Sequence, residues 1–369
     1  MQVEEVKKLN VIYNGKTVGY LAELKNGSIA FQYDDEWIKN GFSISPISLP
    51  LSNKIYISDK PTFNGLYGVF WDSLPDGWGE LLVRRMLNKH GINFDRLSPL
   101  QKLSIINKNG LGALEYEPNK SLETINENYN LDEIATEAEK ILNDETEGID
   151  LDTIYNLGGS SGGARPKAHI VYENVEWIVK FPCAIDPKNI GEKEFNANQL
   201  AKKCGINVNE FKLFDSKICS GFFGAKRFDR TENKKLHMIS LSALLETTHR
   251  LPNLDYGHLF QVISKISVNR ENDLYEAFRR MCFNVFYKNR DDHGKNFSFI
   301  YDENLKGYKL SPAYDLTSLP NKPEHEMTVN GNGKPNECDL MQIAKDFKLS
   351  IKKCEEIITI IKKTLFIKD

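Results

Sequence analysis

The stretch Lys288–Phe297, KNRDDHGKNF, crowds carboxylates, an imidazole, basic groups and carboxamides into adjacent positions. That density reads as a site rather than a solvated surface. Just upstream, Leu274, Phe278, Met281, Val285 and Phe286 recur at helical spacing, so the polar cluster begins where an amphipathic helix ends. Whatever the fold, it has to pack that helix and leave a polar loop open at its C-terminal end. Asp291 stands five positions before Asn296. Phosphotransferases use the same interval between a catalytic Asp and a magnesium-holding Asn.

The 369-residue chain is long enough for two or three packed units, each with its own core. With 40% hydrophobic and 27% charged residues it has an ordinary globular composition. Its 48 basic and 51 acidic residues give a net charge of −3, so no global field recruits nucleic acid or anionic lipid. The six cysteines are never paired at zinc or disulfide-scaffold spacing, which suits reduced, buried thiols. No window holds eighteen uninterrupted apolar residues, and a cytoplasmic location without membrane contact is expected.

In chain order, Val11 to Ile57 alternates around Asn14-Gly15 and Asn26-Gly27, two hairpin signals, and predicts a β-rich unit. Leu74-Pro75-Asp76-Gly77 breaks the chain before a helix carrying Leu81, Leu82, Met86 and Leu87, and Ser98-Pro99 starts another. Polarity rises between Pro118 and Asn130, the best linker candidate of the first half. A helix with Ile134, Ala138 and Ile141 follows, then GGSSGGARPK from Gly158 to Lys167. Strands are expected at 168–172, 175–181, 211–214 and 222–228, with a helix over about 192–204. Beyond about Leu236 the pattern turns helical, interrupted by a hairpin over 297–310 that delivers Asp315 back toward the polar loop. Residues 320–336, rich in Pro and Asn, read as loop.

Phosphoryl transfer requires a phosphate cradle, a cation, magnesium ligands and a base aligned with the acceptor hydroxyl. Gly158, Gly159, Gly162 and Gly163 allow backbone N–H groups to approach an anion. Lys180 ends the strand run Ile178-Val179-Lys180, and Glu194 on the next helix is its expected ion-pair partner. Asp291 is the candidate base; Asn296 and Asp315 are hard oxygen ligands for magnesium. Taken singly, each has a bland reading: GGSSGG as a flexible loop, Lys180 as a solvated strand end, Glu194 as a helix surface charge. The Asp-Asp-His run could bind a hydrolytic metal, but the remaining histidines are scattered singly and no Gly-x-Ser-x-Gly elbow occurs. A hydrolase is therefore disfavoured.

The ordered set of motifs is similar to that of HipA-type serine/threonine kinases, the toxin halves of bacterial toxin–antitoxin pairs. It consists of Leu74-Pro75-Asp76-Gly77, Gly163-Ala164-Arg165-Pro166-Lys167, Lys226-Arg227-Phe228-Asp229-Arg230, Asp291-Asp292-His293-Gly294-Lys295-Asn296 and Ser311-Pro312-Ala313-Tyr314-Asp315. The resemblance implies an α+β, two-lobed protein-kinase-like fold. Its expected parts are a β-rich N-terminal subdomain for partner contact (1–119), an N-lobe (120–235) and a mainly helical C-lobe (236–369).

It further implies ATP with Mg2+ as cofactors and transfer to a protein Ser or Thr, in some relatives on an aminoacyl-tRNA synthetase. Asp291 is the implied base, Asn296 and Asp315 the metal ligands and Lys180 the phosphate contact. The backbone at Lys226 and Phe228 would form the adenine edge, with His293 and Lys295 also at the nucleotide. Ser160 or Ser161 would be the autophosphorylated loop serine. A small helix-turn-helix antitoxin is the implied partner, and DNA would be reached only through it. The competing expectation is a pseudokinase or corepressor that holds ATP and antitoxin without phosphorylating a target.

Overall fold

The structure, a computed structural model, describes residues 5–58, 61–106, 110–121, 130–145, 148–232, 234–248 and 250–366. They fall into two compact units. The first comprises Met1–Glu192, Lys212–Ile239 and Ala243–Glu246; the second comprises Lys193–Phe211, Ser240–Ser242 and Thr247–Asp369.

The first unit opens with strands β1 (Lys8–Tyr13), β2 (Lys16–Glu23), β3 (Ile29–Tyr33) and β4 (Tyr56–Ile57). With β5 (Leu114–Glu117) they make an antiparallel sheet in the order β4-β3-β2-β1-β5. Asn14 and Gly15 close the first hairpin with φ of 46° and 77°, the left-handed pair that a two-residue turn demands. Among the elements absent from the sequence reading are two that flank this sheet. The helix Asp35–Asn40 is started by Asp34, whose carboxylate accepts the Glu36 and Trp37 N–H groups. The second is β5, which pairs with β1 from Asn10↔Glu117 to Tyr13↔Leu114.

A second sheet in the same unit holds β6 (Lys167–Tyr172), β7 (Val175–Lys180), β8 (Phe211–Phe214) and β9 (Phe222–Lys226), in the order β6-β7-β9-β8. Glu173 and Asn174 turn β6 into β7, both at positive φ, and the register sets Lys167 opposite Lys180. One apolar core serves this sheet and the helices before it. Trp78, Leu82, Met86 and Leu87 of the helix Gly77–Lys89 pack with Ile134, Ile154, Ile170 and Val179. Burying each such side chain contributes about 1.5–3 kcal/mol. The first two expected segments, 1–119 and 120–235, thus share a core, and 122–129 of the expected linker lie outside the described residues.

The Lys226–Arg230 run turns out to be part of the frame. Arg227 and Asp229 are buried, whereas Lys226 and Phe228 are half-buried. Arg227 Nε and Nη2 donate to Asp229 at 3.0 and 2.8 Å, and Arg230 Nη1 donates at 3.0 Å. Both arginines also donate to Gly110 O, and Gly112 N–H reaches Asp229 Oδ2 at 2.7 Å. Burial opposes the Asp229 charge, yet Arg227, Arg230 and the Gly112 N–H hold its carboxyl well below the usual range. This network fastens the turn before β5 to the end of β9.

A short strand, β10 (Met238–Ser240), leads toward the second unit. The helix Ile190–Lys203, expected within the N-lobe segment, has its residues from Lys193 onward in the second unit. Helices Tyr256–Ile266, Arg270–Tyr287, Glu337–Asp346 and Ile351–Phe366 build the rest around a hairpin of β11 (Ser298–Asp302) and β12 (Gly307–Leu310). Leu259, Phe260, Ile263, Phe278, Met281, Leu340, Ile343, Ile357 and Ile361 are buried, which gives each helix one apolar face. Among the described residues, no helix is long and apolar enough to cross a membrane.

Candidate active site

The glycine loop lies in the first unit. A helix unseen in the sequence, Leu151–Gly158, runs directly into the loop and takes Gly158 as its last residue. A Cβ on Gly158 would come within 2.8 Å of Leu82 Cδ1, Lys167 O and Trp78 Nε1. Gly159 caps that helix, its N–H donating to Tyr155 O at 2.7 Å. The first glycine pair therefore satisfies packing and helix termination, which leaves Gly162 and Gly163 to shape the loop tip. Ser160 is 4% exposed and Ser161 fully buried, and Ser161 Oγ has no hydrogen-bond partner among the described residues. The serines are packed, contrary to the reading of the loop as a flexible segment, whereas Gly163 and Ala164 at its tip are exposed.

Lys180 closes β7 with its Nζ 5.8 Å from the centre of the Phe223 ring. Opposite it, the Lys167 ammonium donates to Gly162 O, so the cross-strand pair sits at the exit of the loop. Lys226 ends β9 in register with Trp177, and alternation turns Lys226 and Phe228 away from the buried Arg227 and Asp229.

The polar loop lies in the second unit. Lys288 caps the helix Arg270–Tyr287 in the left-handed conformation, φ 58° and ψ 39°, and thereby redirects the chain. Asp291 is partly exposed; its Oδ1 pairs with Lys322 Nζ at 2.9 Å. Asn296 Nδ2 donates to Asp291 O at 2.7 Å, which commits the amide nitrogen and leaves Oδ1 as the acceptor end.

Asp292 has the opposite environment. It is buried, and its oxygens accept from Tyr256 OH at 2.8 Å, pair with His325 Nδ1 at 2.8 Å and accept Glu326 N–H at 3.0 Å. The Tyr256 hydroxyl is pushed well up by burial and by the Asp292 charge, so it remains a donor. Asn284 Nδ2 reaches Tyr256 OH at 2.9 Å, and Asn289 Nδ2 reaches Asn284 Oδ1 at 3.0 Å and Asp315 O at 3.4 Å. A continuous polar layer under the loop thus joins Asp292 to the backbone of Asp315. With Asp292 committed to protein donors, the metal-binding reading of the Asp-Asp-His run loses its second carboxylate.

Asp315 has φ 54°, a left-handed conformation that a non-glycine residue holds only where its surroundings enforce it. Tyr314 OH, its neighbour, donates to Lys295 O at 2.5 Å and lies 2.6 Å from Ser298 Oγ. His293 contributes its carbonyl to Asn296 N–H at 2.9 Å. Glu194 is 3% exposed, a buried acid and not a helix surface charge, and Asn198 Nδ2 donates to its carbonyl at 2.9 Å. The Asn296 amide oxygen and the Asp315 carboxylate are a donor set of the kind magnesium takes alongside phosphates and water. Among the described residues no group of three or more His, Cys, Asp or Glu is gathered around one point.

Sequence reasoning missed Lys322, His325 and Glu326, which belong to the Pro- and Asn-rich stretch read only as loop. Arg290 Nη1 donates to Pro320 O at 2.9 Å and also to Lys322 O, and Leu319 N–H reaches Lys288 O at 2.9 Å, so this stretch is pinned along the polar loop. A cation, a histidine and an acid within five residues were the available signal.

A mixed unit with a glycine loop beside a strand lysine, and a helical unit with Asp291, Asn296 and the returning Asp315, define a kinase-like fold. Family comparison then gives the lineage. A HipA-like C-terminal domain matches residues 159–366 and a HipA N-terminal domain matches 9–117. The chain belongs to the HipA family.

Two relatives come from Sinorhizobium fredii. "Putative kinase Y4mE" is 24% identical over 86% of this chain and 79% of its own length. "Putative kinase Y4dM" is 31% identical over 38% of this chain and 37% of its own. A Haemophilus influenzae "Putative kinase" is 28% identical over 45% of this chain and 54% of its own. Among solved structures, HipA of Shewanella oneidensis, determined with HipB and its operator DNA, aligns with a TM-score of 0.71 at 20% identity. That alignment covers 96% of this chain and 88% of the other.

Proposed function

We propose that the protein is an ATP-dependent kinase that transfers the γ-phosphoryl group to a protein Ser or Thr hydroxyl, as the toxin of a toxin–antitoxin pair. The observation that carries this reading is the division of labour between adjacent acids. Asp292 is immobilised by three protein contacts, while Asp291 keeps a partly exposed carboxylate in a loop whose Asn296 is oriented by Asp291's own carbonyl. In the reaction the acceptor oxygen bonds to the γ-phosphorus and the bond to the β,γ-bridging oxygen breaks, releasing ADP. Asp291 takes the hydroxyl proton. Asn296 and Asp315 would hold magnesium, which neutralises phosphate charge when bound. Lys180 and the tip of the glycine loop would orient the phosphates.

The loop serines are the proposed site of self-modification, although both are buried in the described conformation. The partner reading, a small DNA-binding antitoxin, draws support from the HipB and operator DNA present with the Shewanella protein. The test is intact mass after incubation with magnesium-ATP. Added phosphate that disappears in Asp291→Asn supports the kinase. Nucleotide binding with no phosphate on the chain or on any presented protein would favour the pseudokinase or corepressor.

A further inference from the structure

Leu74-Pro75-Asp76-Gly77 reads in the sequence as a chain breaker before a helix, but in the first unit Asp76, with the following Trp78, grips the glycine loop. Asp76 stands at the N-cap of the helix Gly77–Lys89 and makes no side-chain cap bond there. Its Oδ1 instead accepts the Gly163 N–H, and Trp78 N–H donates to Gly163 O at 2.9 Å. Both polar groups of Gly163 are thus held by residues two positions apart. The approach depends on missing side chains: a Cβ on Gly79 would overlap Ser161 O, and one on Gly77 would overlap the Gly163 carbonyl. Trp78 adds a bond from its ring N–H to Lys167 O at 3.1 Å, so the grip extends to the first residue of β6.

We propose that Asp76 is a positioning residue: it latches the glycine loop in a single conformation that keeps Ser161 enclosed. Gly162 lies so near that a Cβ there would sit 3.2 Å from Asp76 Oδ1. The latch does not depend on the kinase reading.

Amide hydrogen exchange on the full-length chain without nucleotide decides the point. In Asp76→Ala, peptides covering 159–166 are expected to exchange roughly tenfold faster, as loss of a charge-assisted hydrogen bond to the loop backbone requires. Asp76→Asn, which keeps an acceptor oxygen, should fall between. Peptides from β1 and β2 should be unchanged. Unchanged loop exchange in Asp76→Ala, or an increase spread evenly over the whole unit, would overturn the positioning role. Failure of the kinase reading would appear separately, in the intact mass, and would leave these outcomes untouched.

Discussion

Lys322 Nζ lies 2.9 Å from Asp291 Oδ1 and also contacts Glu326 Oε1, so one ammonium joins the proposed base to a second acid. Although partial burial works against its charge, hydrogen bonds to Glu326 and Asp291 raise the Lys322 pKa, and the group stays protonated across the neutral range. Its partner Asp291 is held by this contact while remaining partly exposed.

Removing that tether should damage turnover and leave nucleotide binding intact. Lys322→Ala is expected to lower kcat for phosphate incorporation by about 10- to 100-fold, as a misplaced catalytic group does. The apparent KM for magnesium-ATP should stay within roughly twofold, and Lys322→Arg should restore most of the rate. Initial rates at varied ATP separate the two parameters. A change confined to KM would move Lys322 into nucleotide binding.

The neighbouring acids should divide cleanly between chemistry and stability. Asp291→Asn is expected to abolish phosphate transfer with little change in melting temperature, because its carboxylate is partly exposed and makes one pairing contact. Asp292→Asn disturbs a buried charge held by Tyr256, His325 and the Glu326 N–H, and should cost about 3 kcal/mol. Thermal melts beside activity assays check both. Equal melting temperatures for the two variants would contradict the assignment.

His237 supplies a pH signature in the first unit. It is fully buried, with Nε2 2.8 Å from Ile44 O, and burial lowers its pKa from 6.5 to about 4. Between those values the unfolded chain binds the proton and the folded chain does not. Stability should therefore fall as pH drops from 6.5 toward 4, by on the order of 3 kcal/mol, and this contribution should level off below. Denaturant melts of wild type and His237→Gln across that window should differ in slope. Parallel curves would refute the assignment.

Truncation should be harsher than the motif positions alone suggest. Gly158 is the first of the expected nucleotide residues, which invites the view that the first 119 residues serve partner contact only. Yet Trp78, Leu82, Val83, Met86 and Leu87 fill the core under β6 and β7. A chain beginning near Leu131 should expose that apolar surface and aggregate, or bind a hydrophobic dye if it stays in solution. A monomeric, cooperatively melting fragment would count against the shared core.

What could be read from the sequence followed the strength of local signals. Asn14-Gly15 and Glu173-Asn174 place hairpins because few residues accept left-handed backbone, and the helix before the polar loop follows from Leu274, Phe278 and Met281 at helical spacing. Asp291, Asn296 and Asp315 could be singled out as candidates because their residue types, and the interval from Asp291 to Asn296, are those phosphoryl transfer uses; their roles rest on the proposal above. The helix Leu151–Gly158 was not legible, because glycines at its end read as loop. Lys322 and His325 were missed because a long turn has no periodicity, and only the three-dimensional path sets it against Asp291. The role of Asp76 was hidden for a related reason: its partner Gly163 is remote in sequence, and a glycine's missing side chain signals close approach without naming what approaches.

The shared core also bears on how the chain is made. The helix Gly77–Lys89 leaves the ribosome with an apolar face whose partner strands, β6, β7 and β9, end only at Lys226. Synthesis at about 5–20 residues per second leaves that face without its strands for roughly ten seconds, covered only by the helices that carry Ile134 and Ile154. Conditions that slow elongation across residues 90–226 should therefore lower the yield of native protein without altering any residue of the candidate site.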